Sequence, residues 1–336
     1  MMAQSTTTEV DLDELNKIVD RALARLGLRG EDATIVHDVL MYAQLRGNNQ
    51  GLIKIPERAV APDPNSGPME VVSQFGAVMR LNGNRNVGMV VLSRAAEEAL
   101  KLAHEHGIGL VGTFNTSSST GAIGYYASRM AQDGYIGVVF AGSPKALATE
   151  GGVDPVFGTN PIAIAVPTDD QPIVLDIATA SIAWFGLIEA SRQNRSIPSG
   201  VAYDSQGELT NDPDEALKGA IKAFGGHKGA GLAMMVELLT GPLVGAGVIG
   251  DSDAASNRGN LCIAINPSAM VDERTFNNAV RRMRARIKGS RRLSGVDEIL
   301  LPGERGNRQA DERVRQGTIT LDQSLYDALI DIAGGR

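Results

Sequence analysis

The sequence predicts an α/β (α+β) protein with a mixed sheet in its centre and a helical domain formed by both chain ends. Apolar residues recur at helical spacing near both ends, and short apolar runs bounded by Gly, Asn or Pro occur between them. The 336 residues also exceed the roughly 250 that one hydrophobic core usually organises. We therefore expect a helical domain of residues 1–70 with 275–336, and a mixed α/β domain of residues 71–274.

The two ends of the chain are predicted to be helical and to pack together. Residues 11–27 and 31–45 place apolar side chains on one face, and Gly27 stands where a helix commonly stops. The basic segment 281–292 and the tail 313–332 show the same periodicity. Helices from both ends can therefore share one domain.

The middle of the chain is predicted to contain the sheet. The predicted strands are residues 78–81, 108–113, 136–141, 162–167, 173–176 and 261–266. Helical patterns at residues 93–104 and 121–132 separate some of these strands, which favours a sheet covered by helices. Residues 198–219 are predicted to be an extended loop, and the very apolar residues 229–250 a buried helix.

The composition excludes several classes of function. Asp and Glu (39) outnumber Lys and Arg (32), so the chain lacks the basic excess of a nucleic-acid-binding protein. A single cysteine, Cys262, permits neither an intrachain disulfide nor a Cys-based metal site, and it fits a reducing, cytoplasmic location. The first residues are polar and acidic, unlike a signal peptide, and we expect no membrane span. A small molecule is the expected partner.

Residues 225–231, which read GGHKGAG, open an apolar helix. Glycines let a ligand approach the backbone, Lys228 adds a positive charge, and free N–H groups at a helix start favour an anion such as a pyrophosphate. A glycine-rich helix start packed against a neighbour explains these residues equally well. The G-x-G-x-x-G order is absent, so the segment is not a Rossmann fingerprint.

Two further segments carry polar groups suited to a ligand. Residues 113–126 hold a run of hydroxyls between a strand and a helix, which could bind phosphates or a ribose, cap the helix or simply face solvent. Residues 46–54, RGNNQGLIK, combine amides with Arg46 and Lys54, and such cations suit a substrate carboxylate. A helix C-terminus would attract the same cations.

The four histidines give no metal-binding motif, and no metal is expected. His37, His104 and His106 are predicted to be surface or capping residues. Only His227, beside Lys228, is kept as a candidate.

Several longer motifs follow one another along nearly the whole chain. They are LRGNNQG (45–51), HGIGLVG (106–112), TGAIGYYA (120–127), FGTNPIAIAVPT (157–168), VLDIATA (174–180), GGHKGAGLAMMVELL (225–239) and LPGER (301–305). In this order they resemble the malate/L-lactate dehydrogenase family of the second type. That family includes sulfolactate and ureidoglycolate dehydrogenases, diketogulonate reductase and piperideine-2-carboxylate reductase.

The resemblance implies a homodimer with a non-Rossmann domain that binds NADH or NADPH. It also implies hydride transfer between C4 of the nicotinamide and C2 of a small 2-oxo or 2-hydroxy carboxylate. The cofactor-binding residues that it implies are Ser117, Thr120, Gly121, Ser143, Ile177, Ala178, Thr179, His227, Lys228, Gly303, Glu304 and Arg305. The substrate-binding residues are expected to be Arg46, Lys54 and Asn160.

The catalytic segment departs from the family's pattern. The family typically reads R-G-x-x-S-H-G-x-x-R, in which the histidine transfers the proton and the arginine helps to hold the carboxylate. Residues 46–54 are one residue shorter and place Asn49, Gln50 and Lys54 at the serine, histidine and arginine positions. Ser119 replaces a second histidine in the family's N-S-x-H-x-G-A-x-G-Y-Y motif. Because neither Gln nor Ser titrates near neutrality, the usual acid–base group is missing twice.

Three hypotheses remain open for a site whose predicted catalytic residues are Asn49, Gln50, Ser119 and Asp176. In the first, a ketone is reduced or an alcohol oxidised, and the proton is handled by water or by one of four side chains: Asp176, His227, Lys54 or Tyr125. In the second, the substrate is a 2-imino carboxylate whose nitrogen arrives protonated, so that amides suffice to position it. In the third, the chain binds a nucleotide or metabolite without turnover.

Overall fold

Residues 6–251 and 257–335 are described by the computed structural model. The helices are α1 Leu12–Leu26, α2 Gly30–Leu45, α3 Gly88–His106, α4 Gly124–Gln132, α5 Trp184–Arg192, α6 Pro213–Lys218, α7 His227–Thr240, α8 Glu273–Lys288, α9 Glu304–Gln316 and α10 Gln323–Gly334. Short 3-10 helices span Leu52–Lys54 and Pro267–Ala269. The strands are β1 Thr7–Asp11, β2 Glu70–Phe75, β3 Val78–Asn82, β4 Ile108–Thr116, β5 Ile136–Ala141, β6 Lys145–Ala148, β7 Pro155–Gly158, β8 Ile162–Val166, β9 Ile173–Ile177, β10 Ala202–Tyr203, β11 Leu209–Thr210, β12 Ala220–Ile221, β13 Arg258–Ile265 and β14 Thr318–Asp322.

A seven-stranded mixed sheet of order β2-β3-β4-β13-β5-β8-β9 forms the centre of the molecule. Strands β3 and β4 are parallel, whereas the other neighbours in this sheet are antiparallel. A Rossmann sheet is instead mostly parallel, with a helix between successive strands. The predicted mixed, non-Rossmann α/β class is therefore confirmed.

A smaller sheet of order β11-β10-β12-β6-β7 has a hydrophobic cluster of its own. Leu147 and Ile221 from this sheet pack with Leu187 of α5 and Ala233 of α7. The sheet includes residues predicted to be an extended loop, and that prediction was wrong: residues 198–219 contain β10, β11 and α6. Asp212 caps α6 through the backbone N–H of Asp214 and Glu215.

The two chain ends pack together as predicted. Strand β1 pairs with β14 in antiparallel register, from Thr7 opposite Asp322 to Asp11 opposite Thr318, and α1 packs against α10. Apolar residues of α1, α2 and α10 belong to the same hydrophobic cluster as the large sheet. The ends and the large sheet therefore share one core, and the proposed domain boundaries remain a prediction.

The C-terminal segment 313–332 is not the continuous helix that its periodicity predicted. Gly317, with φ 72°, ends α9 in the left-handed conformation that glycine adopts at low cost. The β-branched residues that follow form β14, and Asp322 then caps α10. The predicted helix 281–292 is α8, which begins earlier because Asp272 caps it.

Neither a metal-binding cluster nor a membrane-spanning helix occurs in the described ranges. No group of three or more His, Cys, Asp or Glu side chains there could hold a metal ion. No helix there is long and apolar enough to cross a membrane. The apolar segment 229–250 is helical only as far as Thr240, and several of its side chains are exposed, so the prediction of a buried helix was wrong.

Candidate active site

A cavity of about 490 Å³ lies at one edge of the seven-stranded sheet. The ends of β4, β5 and β9 and the beginnings of β8 and β13 meet there, because antiparallel neighbours run in opposite directions. Helix α5, which packs in the second hydrophobic cluster, forms another wall. The cavity brings together these predicted site residues: Asn49, Gln50, Lys54, Ser119, Thr120, Gly121, Ser143, Asp176 and Ala178.

The loop after α2 presents Asn49 and Gln50 to the cavity. Asn48 Oδ1 accepts a hydrogen bond from the Gln50 backbone N–H at 2.9 Å, and Gln44 Oε1 accepts one from Leu52 N–H at 3.0 Å. A Cβ on Gly51 would lie 2.5 Å from Gln44 Oε1, so this close approach requires glycine. The Gln50 side-chain amide donates to Asn49 Oδ1 at 3.4 Å. Two neutral amides therefore face the cavity from this loop.

Lys54 ends the 3-10 helix that follows this loop, and its side chain is only 1% exposed. Its Nζ lies 3.4 Å from the centre of the Phe185 ring, a cation–π contact. Among the described residues, no carboxylate or other hydrogen-bond acceptor partners this Nζ. Burial, together with the nearby positive charge of Arg258, holds the pKa of Lys54 well below its ordinary value.

Arg258, at the start of β13, is a second, partly buried cation in the cavity wall and was not predicted as a site residue. Its Nε is buried, and nothing in the described chain accepts a hydrogen bond from it. Burial lowers the pKa of its guanidinium. The sequence carried a faint signal, since a basic residue stands just before the predicted strand 261–266. Trp184 and Phe185 of α5 also line the cavity and were not predicted.

Asp176 faces the cavity from the end of β9. Its Oδ2 accepts a hydrogen bond from the backbone N–H of Gly124, the first residue of α4, at 2.9 Å. A Cβ on Gly124 would lie 2.8 Å from that oxygen, so glycine permits the contact. Burial raises the pKa of Asp176 to about 6, although the Gly124 hydrogen bond works in the opposite direction.

Only some side chains of the hydroxyl-rich segment after β4 line the cavity. Ser119 Oγ accepts a hydrogen bond from Gly121 N–H at 3.1 Å, and Ser119 N–H donates to the Ala59 carbonyl at 2.9 Å. Ser117 is buried, and its Oγ donates to the Arg85 carbonyl at 2.7 Å. The structure therefore places Ser119, Thr120 and Gly121 in the cavity wall, whereas Ser117 does not line the cavity and stabilises the loop through its hydrogen bond.

A second cavity of about 600 Å³ adjoins the first, and both are lined by Asn48, Asn49 and Asp176. Its predicted site residues are Arg46, Ile177, Gly303 and Arg305. Arg46 stacks 3.7 Å above the Tyr42 ring and donates to Asn307 Oδ1 at 3.3 Å. Two adjoining cavities with cations on one wall fit a dinucleotide, whose two halves are joined by an anionic pyrophosphate.

Other predicted residues do not line these two cavities. Asn160 is fully buried, and its amide donates to the Ala233 carbonyl at 3.0 Å and to Glu237 Oε2 at 2.8 Å. Thr179 is buried and donates to the Thr159 carbonyl at 2.9 Å.

The remaining three predicted residues lie at or near the surface. Glu304 pairs with Lys288 and Arg308 at the start of α9. His227 and Lys228 are exposed at the start of α7. For all of these residues, the role implied by the motifs stays a prediction.

Comparison with known proteins identifies the family. Residues 10–330 match the family model of malate/L-lactate dehydrogenase. The chain is 36% identical over 332 residues to the malate/(S)-sulfolactate dehydrogenase of Methanothermus fervidus, covering 96% of each protein. The chain belongs to the malate/L-lactate dehydrogenase family, which confirms the resemblance inferred from its motifs.

Solved structures agree with this assignment. The sulfolactate dehydrogenase of Methanocaldococcus jannaschii has a TM-score of 0.84 at 33% identity, with 98% of this chain and 97% of that chain covered. The Δ1-piperideine-2-carboxylate reductase of Pseudomonas syringae pathovar tomato has a TM-score of 0.81 at 25% identity, with 97% and 99% covered. The similarity therefore extends over the whole fold.

Proposed function

We propose that this member of the family is an NAD(P)H-dependent oxidoreductase that interconverts a small 2-oxo carboxylate and its 2-hydroxy form. The observation that carries this proposal is the pair of cations in the 490 Å³ cavity. Lys54 and the Nε of Arg258 are buried there, and within the described ranges neither side chain has an anionic partner. Uncompensated buried cations are costly, and a bound carboxylate would offset that cost.

The nicotinamide cofactor fits the two adjoining cavities. Its nicotinamide half would lie beside Asn49 and Asp176, and Arg46 and Arg305 would face the anionic part of the dinucleotide. When bound, the cofactor supplies or accepts a hydride at C4. The chain's own residues would hold the carboxylate, align C2 with the nicotinamide and handle the proton.

An oxidation screen tests this function. NADH and NADPH are each supplied with a panel of 2-oxo carboxylates, with and without ammonia or methylamine, and absorbance at 340 nm is followed. We expect turnover with 2-oxo carboxylates alone. Cofactor binding without turnover on any substrate would instead support a non-catalytic nucleotide-binding protein.

Reduction of a cyclic or N-substituted 2-imino carboxylate is a second candidate. Asn49 and Gln50 present neutral amides to the cavity, and an iminium nitrogen needs hydrogen-bond acceptors rather than a proton donor. The similarity to a piperideine-2-carboxylate reductase supports the same possibility. Turnover only in the presence of ammonia or methylamine would favour this candidate over the first.

Replacing Gln50 with Ala tests whether the amide contacts the reacting centre. We expect kcat to fall about fivefold, because one hydrogen bond to the substrate's C2 substituent contributes about 1 kcal/mol. The Kd of NAD(P)H, measured by fluorescence, should stay within about twofold, because the rest of the cofactor site is unchanged. An unaltered kcat on the true substrate would show that Gln50 has no role in the reaction.

We further propose a homodimer formed through α7, in the cytoplasm. Leu232, Met234, Met235 and Leu238 of this helix are 39–52% exposed, which suits contact with a second copy. Replacing Met235 with Glu should convert the dimer to a monomer in sedimentation velocity, whereas Met283→Glu on α8 should not.

The proposed cytoplasmic location rests on cysteine use. A reducing compartment suits a chain whose Cys262 is its only cysteine and is buried.

A further inference from the structure

Reduction of a ketone needs a proton as well as a hydride, and few groups in the cavity can supply one. The titratable side chains that line it are Lys54, Glu57, Asp176 and Arg258. Arginine does not deprotonate in proteins. Glu57 is exposed and forms an ion pair with Arg192 at 2.6 Å. Lys54 and Asp176 are therefore the two candidates.

Two groups that the sequence suggested for this role lie elsewhere. His227 is exposed at the start of α7 and does not line the cavity. The Tyr125 hydroxyl is absent from the cavity wall and accepts a hydrogen bond from Arg129 at 3.0 Å. Neither is placed to reach the C2 substituent of a substrate in the cavity.

Near and above pH 7 Asp176 is mainly anionic, because burial raises the pKa of its carboxyl only to about 6. Its Oδ2 accepts the free N–H at the first residue of α4, where the helix dipole favours negative charge. An anionic carboxylate cannot donate a proton, whereas a lysine ammonium can, and negative charge develops on the substrate's C2 oxygen as hydride arrives. A cation in the same cavity attracts that charge.

Resting on the function proposed above, we propose that Lys54 donates the proton to the C2 oxygen during reduction and removes it during oxidation, while Arg258 holds the carboxylate. The Nζ of Lys54 lies against the face of the Phe185 ring, and no acceptor among residues 6–251 and 257–335 competes for its proton. In a 2-oxo carboxylate the C2 oxygen and the carboxylate are on adjacent carbons. Two cations in one cavity can therefore bind both groups.

The step balances with the atoms available. In reduction, the hydride that the cofactor supplies forms the C2–H bond, and the electrons of the C2=O π bond move to oxygen. That oxygen takes a proton from the Lys54 ammonium, whose N–H bond breaks and leaves a neutral amine. The 2-oxo acid is reduced, NAD(P)H is oxidised, and Lys54 recovers its proton from water. Oxidation of the 2-hydroxy acid is the reverse.

The surroundings of Lys54 suit a group that must change protonation state. Burial and the positive charge of Arg258 disfavour its cation, so the pKa of Lys54 is lowered toward the range in which enzymes work. Asp176 and Glu57, the acidic groups in the same cavity wall, form no ion pair with it in the described chain. A permanently ion-paired lysine would not release its proton as readily.

The test compares Lys54→Arg with Lys54→Met in ketone reduction. Arginine keeps the positive charge and is the residue type usual in the family, but it cannot donate a proton. Methionine removes the charge and keeps a side chain of similar length. If Lys54 transfers the proton, both variants should lose about 10²–10⁴-fold in kcat. In the wild type, kcat/KM for reduction should fall at high pH, and both variants should lose this dependence. Lys54→Arg with near-wild-type kcat and the same pH profile would overturn the proposal.

Three further measurements make the result independent of folding and of the proposed function. NAD(P)H fluorescence titration shows whether each variant keeps its cofactor site. If the variants fail to fold, Lys54→Ala is assayed with added alkylamines. A kcat that rises with amine concentration and varies with the pKa of the amine supports proton transfer by Lys54. No effect of the amine, or an effect that does not depend on its pKa, opposes it. A preformed iminium acid should be reduced equally by Lys54→Arg and wild type, because it needs no proton donor. Absence of all wild-type turnover would instead contradict the proposed function itself.

Discussion

Replacing Arg258 with Met is expected to raise KM for the 2-oxo carboxylate about 100-fold. Truncating one member of a buried, hydrogen-bonded charge pair typically costs about 2–5 kcal/mol, and 100-fold corresponds to about 2.7 kcal/mol. The Kd of NAD(P)H should change less than threefold, because Arg258 does not line the second cavity. Steady-state kinetics and fluorescence titration measure the two effects separately.

The same substitution should stabilise the protein without substrate. The Arg258 Nε is buried and has no acceptor in the described chain, so methionine removes a desolvation cost. Arg284→Met is the matched control, because Arg284 lies on α8 and pairs with Asp169 and Asp170 outside the cavity. An unchanged KM for Arg258→Met, or an equal rise for the control, would show that Arg258 does not bind the carboxylate.

Much of the fold follows from local sequence signals. Strand β5 has the predicted bounds, because its apolar run is short and polar or glycine residues flank it. Helix α1 ends at Gly27, whose φ of 104° is the left-handed conformation expected of a C-terminal glycine. The small sheet escaped prediction because β10, β11 and β12 have two residues each, too few to show an alternating pattern.

The residues of the candidate site could likewise be predicted only in part from the sequence. Lys54, Gln50 and Asp176 lie in continuous motifs, so the sequence could single them out. Arg258 reaches the cavity only because β13 pairs antiparallel with both β4 and β5, which places it opposite Thr116. Apart from the basic residue itself just before the predicted strand, the local sequence contains nothing that predicts this non-local pairing. Likewise, the pairing of β1 with β14 joins the chain ends through contacts that neither end reveals alone.

Replacing Asp176 with Asn is expected to stabilise the protein at pH 8 and to have little effect at pH 4. Burial raises the pKa of Asp176 from its ordinary 3.8 to about 6. The folded state therefore binds the proton more tightly than the unfolded state, so stability is fully present below about pH 4 and is lost as pH rises through 6. The shift corresponds to a penalty of up to about 3 kcal/mol on the ionised folded state.

Thermal unfolding at the two pH values measures this effect. For a chain of 336 residues we expect Tm at pH 8 to rise by up to about 4 °C in Asp176→Asn, because an unfolding entropy of about 2.1 cal/mol/K per residue makes 1 kcal/mol worth about 1.4 °C. Asparagine keeps an oxygen that can accept the Gly124 N–H, so the anchor at α4 survives the change. An equal Tm shift at pH 4 and pH 8 would show that packing, rather than ionisation, is responsible.

Asp169→Asn provides a control of opposite sign. The Asp169 carboxylate is exposed and accepts a hydrogen bond from the Arg281 guanidinium at 3.0 Å, which lowers the pKa of Asp169. The small contribution of this pair to stability is therefore present near neutral pH and lost in acid. Its replacement should slightly lower Tm at pH 8.

The Asp176 carboxylate costs stability at neutral pH and lines the cavity, so its retention is best explained by a function. Asp176→Asn should therefore gain Tm while losing kcat. A gain of Tm at unchanged kcat would remove Asp176 from the catalytic residues and leave it as a structural anchor for α4.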